Sequence, residues 1–286
     1  MRGWKDKFVG SLEMALPWVK GPTYSDLTFA EVDGKELCLD LYLPFWKSHC
    51  PLLVYFHGGG WSSGSYKEKG VSWLVGHGFA VASVQHRLTG EAKFPAQVHD
   101  AKGAIRWLRA NADQFGYDAS RMGAVGISSG GHVAMMAGLA NQGLEGDVGG
   151  NLEESSALNV LVNYFGASDL VLRSKTQPEA TEPVGSIVRK LLGAPVKGNE
   201  ELAKSASPAF HVTNEAPPLL VIHGAKDPQV KVDQAYRMVE AYEEKGQEVT
   251  LEVLPEGGHG GAEFFDFGFR EKVGGFLREK LMRANT

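Results

Sequence analysis

Apolar positions along this chain fall into short solid blocks set apart by glycine-rich breaks. Pro51-Leu52-Leu53-Val54-Tyr55-Phe56, Phe79 to Val84, Arg121 to Val125, Ala157 to Phe165 and Leu219 to Gly224 each read as a strand buried on both faces. Two regions alternate instead. Tyr24–Val32 and Lys35–Leu43 flank Asp33-Gly34, the signature of a β-hairpin with a type I′ turn, and Glu248–Leu254 alternates like an edge strand. Helical spacing takes over between the strands. Val98, Ala101, Ala104, Ile105 and Leu108 share one face of a helix from Ala96 to about Asn111. Further helices are predicted over Val133–Ala140, Val232–Lys245 and about Ala262–Arg283, and an exposed loop over 141–156. Strands alternating with helices predict one α/β domain over 1–286, built on a doubly wound, mostly parallel sheet of eight strands.

Two stretches stand outside that rhythm. Residues 1–22, with Trp4, Phe8, Leu12, Leu16 and Trp18, predict an N-terminal helical arm ending at Gly21-Pro22. The arm covers part of the body or, in a sharper reading, the mouth of a site. Residues 170–207 hold Gln177-Pro178, Glu182-Pro183 and Gly193-Ala194-Pro195, with a short helix at about Ile187–Leu192. They read as a small cap insertion over the carboxyl edge of the sheet, since long excursions without a role are uncommon.

Composition narrows the function classes. The chain has 286 residues, 43% of them hydrophobic and 22% charged, enough for one well-buried core. A formal charge of −5 points away from nucleic acid and from anionic membrane surfaces as partners. No apolar run approaches the roughly 20 residues that span a bilayer. No signal-peptide core follows Met1–Lys7, so a cytoplasmic location is the default expectation, although a leader cleaved beforehand would leave the same picture. Cys38 and Cys50 alone make no disulfide framework, and both are expected to be reduced. No cluster of Cys, His and carboxylates has metal-ligand spacing, so neither a metal nor a cofactor is expected. A homo-oligomer is left open.

The chemistry centres on Gly126-Ile127-Ser128-Ser129-Gly130-Gly131-His132, which lies between a predicted strand and a predicted helix. Strand, G-x-S-x-G, helix is the setting of a nucleophile elbow, in which a strained turn lifts the serine hydroxyl onto the start of a helix. Upstream, the central strand at 51–56 runs into His57-Gly58-Gly59-Gly60-Trp61, where glycines free the backbone amides to face a ligand. A serine nucleophile needs a histidine base and a carboxylate to orient it. His259 lies in the glycine-flanked loop Gly257-Gly258-His259-Gly260-Gly261, and Asp227 follows the strand at 219–224. Asp169, also at a strand end, is the live rival for the acid. Arg87 and Asp100 read as a structural ion pair anchoring the helix after Phe94-Pro95.

The segments H-G-G-G-W at 57–61, G-I-S-S-G-G-H at 126–132, H-G-A-K-D-P at 223–228 and P-E-G-G-H-G-G at 255–261, with L-D-L-Y-L-P at 39–44, resemble α/β-hydrolase carboxylesterases. Within those, the chain is most similar to the group that holds acetyl-xylan and feruloyl esterase-like enzymes, near the hormone-sensitive-lipase-type family. The resemblance implies a serine esterase with Ser128, Asp227 and His259 as its triad. It implies the amides of Gly59, Gly60 and Ser129 as the oxyanion hole. Ser129 stands where the group usually has Ala, and His86 where it tends to have Tyr. The expected partner is a small-molecule or polysaccharide-linked ester. An amidase, formamidase or peptidase on the same residues is the runner-up, and a non-catalytic binder the most distant alternative. Trp61 is expected to wall the acyl pocket, with Phe165, Phe210 and Val230 narrowing the same cleft for short acyl groups.

Overall fold

The computed structural model describes residues 21–140 and 144–282. The predicted N-terminal arm lies outside the described residues, apart from its last two positions. One sheet holds eight strands: β1 Tyr24–Val32, β2 Lys35–Tyr42, β3 Pro51–Phe56, β4 Ala80–Val84, β5 Asp118–Ile127, β6 Val160–Tyr164, β7 Leu219–Gly224 and β8 Val249–Leu254. Their order across the sheet is β1-β2-β4-β3-β5-β6-β7-β8. The β1/β2 and β2/β4 pairs are antiparallel, and every pair from β4 through β3 to β8 is parallel. The β1–β2 hairpin closes through Asp33 and Gly34 at φ values of 51° and 75°, the two left-handed positions that a type I′ turn needs.

The eight helices are α1 Ala96–Ala110, α2 Ala112–Phe115, α3 Ser129–Leu139, α4 Leu170–Thr176, α5 Ile187–Leu192, α6 Glu200–Ser205, α7 Asp233–Glu243 and α8 Phe267–Met282, counted among the described residues. The central strands feed two cores. Leu52, Val54 and Phe56 of β3 point to one face, where Ile105 of α1, Met135 of α3 and Met238 of α7 pack. Leu53 and Tyr55 point to the other, against Trp73, Leu74 and the α8 side chains Val273 and Leu277. That alternation of two burials explains why β3 reads as a solid apolar block. Strand β8 has one neighbour, and all six of its residues are only half-buried.

Two segments depart from the sequence reading. The closing helix starts at Phe267 rather than Ala262, because a tight turn at Ala262–Phe264 comes first and Asp266 Oδ1 then accepts the Phe269 amide at 2.8 Å as a cap. Residues 170–207 hold α4, α5 and α6, where one helix was expected. Asp169 starts α4 by accepting the Leu172 amide at 2.8 Å. The Arg87–Asp100 pair is present, at 2.7 Å between Nη2 and Oδ1, and ties α1 to the loop after β4.

Candidate active site

Strands β3, β5, β7 and β8 run parallel, so the loops at their carboxyl ends meet along one edge. At the end of β5 the chain turns through Ser128, which holds φ 56° and ψ −122°, a strained conformation for a residue with a side chain. The turn tolerates no bulk on either side. A Cβ on Gly126 would lie 2.1 Å from the Gly130 carbonyl oxygen, and one on Gly130 would lie 2.0 Å from that of Phe56. The serine therefore sits where β5 passes into α3.

Ser128, His259 and Asp227 come together in one hydrogen-bonded line. Ser128 Oγ lies 2.8 Å from His259 Nε2, and His259 Nδ1 lies 2.6 Å from Asp227 Oδ2. With Nδ1–H donating to the carboxylate, Nε2 is left as the acceptor for the serine hydroxyl. Asp227 Oδ1 accepts the amides of Gln229 and Val230 at 2.8 and 2.9 Å, so the carboxylate is held from both sides. Burial alone would raise its pKa, but hydrogen bonds from His223 and His259 outweigh that and keep it well below the usual carboxylate range. His223 is wholly buried and directs Nε2 to the Val230 carbonyl at 2.7 Å, with Asp227 Oδ2 at 3.4 Å. Asp169, the rival acid, is spent on capping α4 and on Arg237, whose Nε is 3.4 Å away.

The glycine loop after β3 faces Ser128. Gly59 and Gly60 have φ values of 119° and 61°. The Gly59 carbonyl accepts the Ser62 and Ser63 amides at 3.2 and 3.1 Å and the Ser63 hydroxyl at 2.9 Å. Because a trans peptide points its N–H away from its C=O, that bonding turns the Gly60 amide to the opposite side of the loop. Trp61 is buried and locked: its Nε1 donates to His132 Nδ1 at 3.2 Å, and its carbonyl accepts the Thr89 amide at 2.8 Å. His132 Nε2 in turn donates to the Ala206 carbonyl at 2.8 Å. Beside the loop, the His57 and His86 rings stack with centroids 4.5 Å apart. Burial depresses the pKa values of His57, His86 and His132 to about 3, 4 and 4.

Around these residues lies a cleft of about 400 Å³, lined by Gly59, Gly60, Trp61, Ser128, Ser129 and His259 on one side. Arg173, Gln177, Ile187 and Val230 line it on the other. Two expected lining residues are corrected. Phe165 does not line this cleft; it is fully buried behind His259, with ring centroids 4.8 Å apart, and packs on Phe264. Phe210 points away: it is 44% exposed and borders a separate depression with His211, Val212, Glu215 and Lys245. Ser129 borders the cleft, and its buried hydroxyl has no hydrogen-bond partner. Sequence reasoning missed His132, Arg173, Gln177 and Ile187. Only the G-H ending of the elbow motif hinted at the first of them.

A sequence profile of the BD-FAE family matches residues 39–242, from β2 to the last turn of α7. The chain is 34% identical to the esterase LipC of Mycobacterium tuberculosis (strain ATCC 25618 / H37Rv) over 217 residues, 73% of this chain and 53% of that protein. It spans about half the length of the curated relatives it matches. Among solved structures, a truncated form of a carbohydrate esterase from gut microbiota superposes with a TM-score of 0.84 at 28% identity, covering 92% of this chain and 100% of that one. A propionate-bound thermophilic esterase, Est2 of Thermogutta terrifontis, superposes with a TM-score of 0.73 at 27% identity, over 94% and 98% of the two chains. The sheet and these neighbours make the fold that of the α/β-hydrolases.

Proposed function

This chain belongs to the BD-FAE family, and from that premise we propose that it hydrolyses carboxylic esters through a serine acyl-enzyme. The observation that carries the reading is the continuous line from Ser128 Oγ to His259 at 2.8 Å and on to Asp227 at 2.6 Å, opening on a cleft. Ser128 Oγ attacks the acyl carbon while His259 Nε2 takes its proton. The oxygen that becomes negative is met, in this reading, by the amides of Gly60, Gly59 and Ser129. His259 then returns the proton to the leaving alkoxide, and water repeats the sequence on the acyl-serine. Asp227 remains ionised throughout and holds the imidazole tautomer.

The cleft suits a short acyl group, because Trp61 and Ile187 wall it and both are packed against other parts of the protein. The propionate-bound Thermogutta esterase supports that size class, and the gut carbohydrate esterase supports an acyl group carried on a carbohydrate. Turnover of p-nitrophenyl acetate and release of acetate from acetylated xylan test the reading. Ser128→Ala should lower the rate by about four orders of magnitude or more without changing the melting temperature, and Ser129→Ala should be mild. An active Ser128→Ala beside a dead Ser129→Ala would move the nucleophile. Faster cleavage of the matching anilide or formamide than of the ester would make the protein an amidase.

A further inference from the structure

Three lysine and arginine side chains are buried among the described residues, and they are satisfied very differently. Lys102 has Glu145 at 3.0 Å. Arg106 donates to the carbonyls of Glu145, Gly146, Val148 and Gly150. Arg173, on α4, is 3% exposed and makes one hydrogen bond, from Nη2 to the Gln229 carbonyl at 2.7 Å. Its Nε has no partner.

The acids whose field reaches Arg173 are Asp227, Asp233 and Glu179, and none forms an ion pair with it. Asp227 has committed Oδ1 to the Gln229 and Val230 amides and Oδ2 to His259. Glu179 is exposed where it borders the cleft. Burial brings the guanidinium pKa down to about 10, which leaves it cationic at neutral pH. A buried charge without an ion-pair contact is unfavourable, and here it lines the cleft that also holds Ser128 and His259. An arriving carboxylate would supply the ion-pair contact that Arg173 lacks, an anion for which a guanidinium is well suited.

We propose that Arg173 is an anion subsite of this cleft, so that the preferred ester carries a carboxylate besides the ester group. The inference rests on the ester-hydrolase reading and deepens it. The carboxylate belongs either to the acyl part, as in a hemi-ester of a dicarboxylic acid, or to the alcohol part, as in a hydroxy acid or a uronic-acid sugar.

Two matched pairs of substrates separate the sources in the full chain: monoethyl succinate against ethyl valerate, and 4-acetoxybenzoate against its methyl ester. In the wild-type protein one pair should favour the charged ester in kcat/KM by about tenfold or more, mainly through KM. Arg173→Gln should bring that ratio to near one, and Arg173→Lys should keep part of it. The ratio is the readout, since Arg173 also braces Gln229 and its loss lowers every rate. Neutral preference in both wild-type pairs, or an undiminished ratio in Arg173→Gln, would overturn the proposal. Should Arg173→Gln not fold, wild-type hydrolysis of p-nitrophenyl acetate should be inhibited by benzoate and much less by benzamide; equal inhibition counts against the subsite. If no ester is turned over at all, the ester reading fails. Thermal stabilisation by succinate over succinamide, present in wild type and absent in Arg173→Gln, then still decides the subsite.

Discussion

The two walls of the cleft are made in opposite ways. The wall formed by Gly58–Trp61 and Ser128–Ser129 is defined by backbone: positive φ at Gly59, Gly60, Trp61 and Ser128, and a turn in which a methyl group on Gly126 or Gly130 has no room. The facing wall, from α4, α5 and the 227–230 loop, is defined by side chains. Arg173 of α4 and Gln177 just after it reach to the carbonyls of Pro228 and Gln229, and the Lys231 amide donates back to Gln177 at 3.1 Å. Oxyanion stabilisation needs amides fixed to a few tenths of an ångström, which backbone supplies and flexible side chains do not. Substrate choice needs exchangeable groups, which side chains supply. On the proposed mechanism, chemistry belongs to one wall and selectivity to the other.

The largest expected effect tests that division through two aspartates. In the proposed mechanism Asp227 completes the proton relay, whereas Asp169 caps α4 on the other wall. Asp227→Asn should reduce kcat by about three to four orders of magnitude, because the amide no longer fixes the His259 tautomer. Asp169→Asn should change kcat/KM by less than about threefold, since Asn caps a helix nearly as well as Asp. Steady-state rates on p-nitrophenyl acetate measure both. A crippled Asp169→Asn beside a working Asp227→Asn would place catalysis on the wrong wall.

The same division decides what could be read from sequence. The elbow, the glycine loop and the hairpin turn are legible because each needs glycine at a fixed place, and glycine announces itself. The buried strands are legible because two cores, one on each face, force solid apolar blocks. The 170–207 segment gives no comparable signal. Helix α4 has seven residues, too few for a 3.6-residue period to stand out. Arg173 reads as a surface cation until its burial is seen. His132 meets partners 71 and 74 residues away, and no local pattern encodes such a contact. Phe165 and Phe210 both follow from the expectation that aromatics at strand ends narrow a cleft. One instead supports the histidine from behind, and the other faces solvent.

A second, smaller effect concerns acid stability. His57, His86 and His132 are buried beside or beneath the backbone wall, with pKa values lowered to about 3, 4 and 4 mainly by burial. Unfolded, each titrates near the ordinary histidine value of about 6.5. Between those limits the unfolded chain binds more protons than the folded one, so stability rises with pH from about 4 to 6.5 and levels off above. Each histidine contributes a slope of up to about 1.4 kcal/mol per pH unit in that window. Asp227 follows the same order, its folded value also lying below the unfolded one, so its share adds to the loss but only at lower pH, below the ordinary carboxylate range. The melting temperature should therefore fall steadily from pH 6.5 to 4.5, and a flat profile would mean that these rings are charged or exposed.

The smallest effect probes the one place where the walls touch. Ile187 of α5 sits so close to the glycine loop that a Cβ on Gly60 would lie 2.3 Å from its Cδ1. Its side chain therefore borders the cleft beside the glycine loop. Trp61 is a poor probe, because removing it also strips His132 of its donor. Ile187 carries no polar partner, so truncating it changes room alone. A buried methylene is worth about 0.8 kcal/mol where it fits, and a chain pushed against a wall gains nothing. In the wild-type protein, p-nitrophenyl ester rates should peak between acetate and butyrate and fall by roughly tenfold by decanoate. Ile187→Ala should raise the hexanoate-to-acetate ratio in kcat/KM by about four- to tenfold, at a modest stability cost, and leave kcat on acetate within about threefold. If decanoate is already as fast as acetate in the wild type, the cleft is open along some other side. An unchanged ratio in Ile187→Ala would make the contact with Gly60 a support for the amides rather than a limit on the acyl chain.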